Sequence, residues 1–165
     1  MTSLRSNGPA TDPATYVDAS AIPYIVFPGA FAGLHGTGFM GDFVAVHDLT
    51  TGTSVNGIAA DCGPQSDPLG EISVCMAERL AGHPVNAATG AGAPTNELLF
   101  VVFPFSRLQP TWPLSIATID AQANQRIAAL GGWPSIVAAV MTDTFAIDEN
   151  VMRFFPHSEL TGRIL

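Results

Sequence analysis

Apolar residues in this chain gather in short runs, each closed by Gly, Pro or Asp. Residues 22–27, 43–49, 54–60 and 98–103 are dense in β-branched and aromatic side chains and read as strands. Between the second and third, Thr50-Thr51-Gly52-Thr53 has the composition of a hairpin turn. The period changes at 71–80, where Ile72, Cys75, Met76 and Leu80 recur at helical spacing until Gly82 and Pro84 end the run. A second helix is predicted over 120–130, with Asp120 as N-cap, Arg126 near the negative end and Gly131-Gly132 as the stop. A third, short and apolar, follows Pro134 over 135–141. The last twenty residues, with Phe154, Phe155 and Pro156, show no clear period.

Residues 1–20 are polar, broken by Pro9 and Pro13, and read as a mobile or loosely draped arm. The remainder, 21–165, suffices for a single domain. One internal echo is visible: Tyr24-Ile25-Val26-Phe27-Pro28 matches Phe100-Val101-Val102-Phe103-Pro104 in type and order. It reads as chance similarity of two apolar strands, or as two related halves of a barrel whose strands stop at a Pro lacking a ladder donor.

Composition narrows the function. Hydrophobic residues make up 47% and charged residues 12%, so the chain is no disordered acidic tail. The formal charge is −8, all six basic residues are Arg, and they are scattered. Without a basic stripe, neither nucleic acid nor an anionic membrane is an expected partner. No apolar stretch approaches the roughly 20 residues of a membrane helix. The opening MTSLRSNGPATDPATY lacks the apolar core of a signal peptide. Cys62 and Cys75 match no zinc spacing; Cys75 reads as a small buried hydrophobe, and a bridge between the two stays open. The four His residues form no metal-ligating spacing, no Gly-x-Ser-x-Gly elbow occurs, and a phosphate loop would need a Lys. No metal and no cofactor are expected.

The segment that asks for chemistry is 56–71. A strand delivers Asp61 at its C-terminal end, a turn-rich loop follows, and Glu71 opens the next helix. Two carboxylates anchored at the ends of one loop can face each other across a cleft. Acid–base cleavage of a glycosidic bond needs such a pair, one protonating the leaving oxygen and one activating water. The plainer reading is that Asp61 satisfies turn amides and that Glu71 is favoured by the helix dipole.

The stretch 41–80 resembles the central block of the family 75 glycoside hydrolases, the fungal-type chitosanases. Gly41-Asp42, Gly57-Ile58, Asp61, Gly63, Gly70-Glu71 and Ser73 fall at matching places, and the flanking Tyr24–Pro28 and Phe100–Pro104 runs agree. The likeness covers residues 16–106. It implies a mainly β fold with a few helices, similar to a six-stranded double-psi β-barrel. It further implies inverting endo-hydrolysis of β-1,4 links in chitosan or chito-oligosaccharides, with Asp61 and Glu71 as the catalytic pair. An extracellular, monomeric enzyme is expected. The resemblance suggests Glu71 as acid and Asp61 as base; a helix N-terminus works against an acidic role, unless Leu69 and Ile72 desolvate the carboxyl. The loop Pro64-Gln65-Ser66-Asp67-Pro68 departs from the family pattern.

Asp42 fixes a turn or contacts a substrate amine, and Asp18, before the first strand, is a subsite candidate. Tyr24, Trp112 and Trp133 offer rings for sugar faces or for packing. Two other functions fit the same residues: a non-catalytic carbohydrate-binding or wall-loosening protein on a related barrel, and a wall-polymer-degrading effector. On the chitosanase reading, −8 becomes a positive signal, because acids converging on one groove would steer a polycation.

Overall fold

The computed structural model describes residues 1–34 and 36–142, together with the backbone of 162–164. The apolar runs become β1 (Tyr24–Phe27), β2 (Phe43–Asp48), β3 (Ser54–Cys62) and β4 (Leu98–Val102), and Gly162–Ile164 adds a short β5. The order across the sheet is β1-β3-β2-β4-β5. β2 is antiparallel to both β3 and β4, whereas β1 pairs with β3, and β5 with β4, in parallel. Consecutive strands β1 and β2 are therefore not neighbours, because β3 inserts between them. The sheet curls into a half-barrel, and with α1 (Val74–Ala81), α2 (Ile116–Ala129) and α3 (Gly132–Met141) the architecture is mixed α/β.

Both faces of the sheet are covered, which is why β1 and β4 are buried at every position. On one face Ile25, Phe27, Val44, Val46 and Phe100 pack against Met76 and Leu80 of α1. On the other, Tyr24, Val26, Phe43 and Ile58 meet Ile119 of α2, and Ala45, Leu99 and Val101 meet Ile127, Ile136 and Val140. Each fully buried large side chain contributes about 1.5–3 kcal/mol. The echoing strands β1 and β4 flank the β2–β3 hairpin on its two sides. Gly57 admits α1: a Cβ there would stand 2.5 Å from Met76 Cε and 2.7 Å from the Pro23 carbonyl.

Three expectations change. Residues 1–20 are not loosely draped, because Leu4 and Val17 are 6% and 4% exposed and join the core around Tyr24. Leu4 N–H donates to the Ala60 carbonyl at 2.9 Å, and Arg5 bridges to Tyr16. The second helix begins earlier, at Ile116, because Ser115 accepts from Thr118 N–H as its cap; Asp120 lies within the helix, where it accepts from Asn56. The first helix begins later, with Ser73 as its cap, so Glu71 stands outside it. The aromatic run at 154–156 lies outside the described residues. Cys62 is exposed, Cys75 is buried, and both thiols are free. No helix of the described residues is long and apolar enough to cross a membrane.

The hairpin is closed by Asp48, which is 1% exposed. Its Oδ1 accepts from Thr50 and Thr51 N–H, and its Oδ2 from Asn96 Nδ2. Burial pushes this carboxyl up, but Asn96 and the two amides outweigh it and hold it below the ordinary 3.8. A carboxylate whose value is lowered on folding stabilises the fold above its unfolded value, and that contribution is lost as pH falls through the folded one. Asp48→Asn is expected to cost about 1–3 kcal/mol at neutral pH in urea denaturation. The gap from the native protein should shrink below pH 3.8.

Candidate active site

β1 carries a neighbour on each edge near its C-terminal half. On one side it pairs with β3, where the register shifts between Ile25 and Val26: Ile25 faces Ala59, but Val26 faces Asp61. Ala60 and Asp61 thus oppose a single residue, a bulge of the kind that re-aims a side chain. On the other side Ile25 bridges antiparallel to Ile72, with Val26 N–H donating to the Glu71 carbonyl and Ser73 N–H to the Tyr24 carbonyl, both at 2.9 Å. Val26 therefore has Asp61 on one flank and Glu71 on the other. Paired positions share a face, so both carboxylates stand on the face that carries Tyr24 and Val26. Their backbones lie two strand spacings, about 10 Å, apart.

Ser73 locks this arrangement. It is 2% exposed, and its Oγ accepts from Tyr24 N–H at 3.0 Å and Met76 N–H at 3.1 Å while donating to the Ile22 carbonyl at 2.9 Å. One hydroxyl thus caps α1 and ties 71–73 to β1. The loop leaving Asp61 is pressed against the end of β1 as well. Gly63 N–H donates to the Phe27 carbonyl and Gly29 N–H to the Pro64 carbonyl, and a Cβ on Gly29 would stand 2.6 Å from the Gly63 carbonyl oxygen.

The side chains differ in how they are held. Asp61 is half-buried, and its Oδ1 accepts from Ser3 N–H at 2.8 Å, Ser3 Oγ at 2.6 Å and Cys62 N–H at 2.9 Å. Glu71 is exposed. Leu69 and Ile72 do not desolvate it, since both pack on the α1 side of the sheet. Tyr24 is 8% exposed, and among the described residues no hydrogen bond engages its hydroxyl. Burial first, then the negative charges of Asp61, Glu71 and Asp18, push its phenol above the ordinary 10.0. Asp18 is exposed, and Ser20, through its hydroxyl and its amide, holds the Asp18 carboxyl below 3.8. It lines a groove of about 770 Å³ with Tyr16, Ile22, Trp112 and Leu114. The pair Asp61 and Glu71 is not part of that groove's lining, and Asp18 is the acid common to the groove and to the surroundings of Tyr24.

The structure thus brings together Asp18, Tyr24, Asp61 and Glu71 and leaves Asp42 out. Asp42 is 0% exposed; its Oδ2 accepts from Phe39 and Phe105 N–H and its Oδ1 from Arg107 N–H. It fixes the loops around it and has no route to a substrate amine. Trp133 is stacked on His47, with ring centroids 4.5 Å apart. Among the described residues no three His, Cys, Asp or Glu side chains could hold a metal ion. Ser3 is the site residue that the sequence concealed: it lies in a polar stretch in which Leu4 stands without any apolar period around it. Set beside known proteins, the chain matches no family model and no curated sequence.

The electrostatic convergence on Tyr24 can be measured without any substrate. Asp61→Asn and Glu71→Gln should each lower the titration of the Tyr24 phenol toward 10.0, because each removes a negative charge that disfavours the tyrosinate. Ultraviolet absorbance reads this directly, and Tyr24→Phe isolates the contribution of Tyr16, the other of two tyrosines. A Glu71→Gln protein that titrates like the native one would remove Glu71 from this face.

Proposed function

We propose that the chain is an inverting endo-hydrolase of β-1,4 links in chitosan and chito-oligosaccharides, acting outside the cell as a monomer. The observation that carries this reading is the position of Asp61 and Glu71 on either flank of Val26, on one face of the sheet. A retaining pair needs carboxyl groups about 5–5.5 Å apart, and an inverting pair about 6.5–9.5 Å, to admit a water. Backbones two strands apart, about 10 Å, favour the wider gap. The resemblance of 41–80 to the family 75 chitosanases points to the same two residues. The finer fold reading, a six-stranded double-psi barrel, rests on the same resemblance, and the curled sheet with β3 between β1 and β2 is compatible with it.

In the proposed mechanism Asp61 is the base and Glu71 the acid. Three donors crowd Asp61 Oδ1, which fixes the carboxylate and leaves Oδ2 to take a proton from water. Glu71 is exposed at the sheet edge, where it can reach the leaving oxygen of a polymer lying across the site. The Tyr24 hydroxyl, which has no partner among the described residues, supplies a donor beneath the sugar, and Asp18 with Asp61 and Glu71 provides the negative field that suits glucosamine amines. The groove with Trp112 extends the contact beyond Asp18. The exposure of Glu71 also favours a second reading, a carbohydrate-binding protein on the same scaffold, since among the described residues no hydrogen bond fixes that carboxylate for chemistry.

Release of reducing ends from chitosan separates the two. Asp61→Asn and Glu71→Gln are each expected to lower it by about 10²–10⁴-fold. On an oligosaccharide with an activated leaving group Glu71→Gln should recover much of its rate, since the acid is then dispensable, whereas Asp61→Asn should not. Recovery in Asp61→Asn alone reverses the roles. A native protein that frees no reducing ends from any deacetylated polymer overturns the hydrolase, and retained binding in that case assigns the site to recognition.

A further inference from the structure

The acid–base pair leaves Ser3 unused, although among the described residues its hydroxyl makes the shortest hydrogen bond to either carboxylate. Both its amide and its hydroxyl donate to Asp61 Oδ1, at 2.8 and 2.6 Å. Such a contact from a residue so near the chain start would mean little if the segment were loose, but it is anchored on both sides of Ser3. Leu4 is 6% exposed in the cluster that holds Val17 and Tyr24, and its amide donates to the carbonyl of Ala60, the residue before Asp61. Thr2 is 7% exposed; its hydroxyl donates to the Leu4 carbonyl and accepts from Val17 N–H. Ser3 is the exposed residue between two buried ones, so its side chain is set toward Asp61 by the neighbours' packing.

The chemical consequence lies in the asymmetry of the carboxylate. Each carboxylate oxygen offers about two lone-pair sites. Oδ1 receives three donors, counting Cys62 N–H, so no site remains there for a proton or a water. Among the described residues no donor reaches Oδ2. We propose that Ser3 is a positioning residue for Asp61: it commits Oδ1 to the amino-terminal segment, fixes the carboxylate plane, and presents Oδ2 as the single oxygen that acts on water. This rests on Asp61 being the base of the proposed hydrolase.

The test uses Ser3→Ala, Ser3→Thr and the full chain. Ser3→Ala removes the hydroxyl donor and leaves both amides in place. It is expected to lower kcat on chitosan on the order of tenfold, with KM within about twofold, as a misaimed reacting group does. Its melting temperature should match that of the native protein, because Ser3 is exposed. Ser3→Thr keeps a hydroxyl at the same carbon and should restore kcat. A second readout needs no catalysis: in Ser3→Ala Asp61, held by two amides alone, should shift from its place beside Tyr24, moving the phenol titration part of the way that Asp61→Asn moves it, and Ser3→Thr should return it. A Ser3→Ala protein with native kcat, or with a native Tyr24 titration while Asp61→Asn shifts it, overturns the proposal. If the native protein cleaves no polymer, the hydrolase reading fails, and the titration alone decides whether Ser3 holds Asp61.

Discussion

Strand β1 is four residues long, and both its edges are in use. A short strand buried on both faces contributes little by itself; its worth is as a backbone template with hydrogen-bonding groups facing two ways. β3 occupies one edge and the 71–73 segment the other, so two residues ten apart in sequence become flanking neighbours of Val26. Everything near the site is then arranged to let these three backbones meet. Gly57 has no side chain where α1 and Pro23 come close, Gly29 has none where the 63–65 loop crosses, and the Ser73 hydroxyl joins β1, the Ile22 carbonyl and the cap of α1 in one knot. The connection that places β3 between β1 and β2 requires the chain to run past a gap and return to fill it. That gap is closed by backbone pairing on both sides, not by side-chain packing alone.

The elements were legible in the sequence because their periods are clean. The four strand runs, the hairpin turn and the three helices fall within a few residues of their places, as alternation, helical spacing and Gly or Pro stops lead one to expect. The face on which Asp61 stands was not legible. By strict alternation Asp61 shares the parity of Val55 and Ala59, which lie in the cluster under α1. A carboxylate pointing there would be buried among Ile25, Phe27 and Met76 at severe cost. The bulge opposite Val26 adds one residue and turns Asp61 to the Tyr24 side. Nothing in the residues 58–62 marks a bulge, because it arises from tertiary pairing with a strand more than thirty residues away. The same limit applies to Ser3 and to the buried Leu4, whose packing depends on a sheet that the local sequence cannot describe.

Both helix starts differ from the sequence expectation: Asp120 is not the cap of α2, and Glu71 does not open α1. Asp120 and Glu71 both have the right chemistry for a helix start, but Ser115 and Ser73 do the capping. In each case a nearby serine hydroxyl accepts from the N3 amide, Ser115 from Thr118 and Ser73 from Met76. For Glu71 the difference has chemical weight. Lying before the cap, it is outside the first helical turn, so the dipole argument against an acidic role loses most of its force.

The net charge of −8 also changes meaning once the acids are placed. Asp42 and Asp48 are both fully buried, and each receives three hydrogen bonds, so neither contributes a free carboxylate to a groove. Asp61 also receives three, and a count of bonds would class all three aspartates together. The distribution separates them. Asp42 and Asp48 have donors on both oxygens, a geometry that exhausts the group and holds loops in place. Asp61 has all three on Oδ1 and, among the described residues, none on Oδ2. Asp42 and Asp48 are each satisfied at both oxygens, and a carboxylate able to exchange a proton must keep one open while the other is fixed. Of these three aspartates only Asp61 keeps an oxygen open among the described residues, and it is the one that the bulge in β3 turns toward Tyr24.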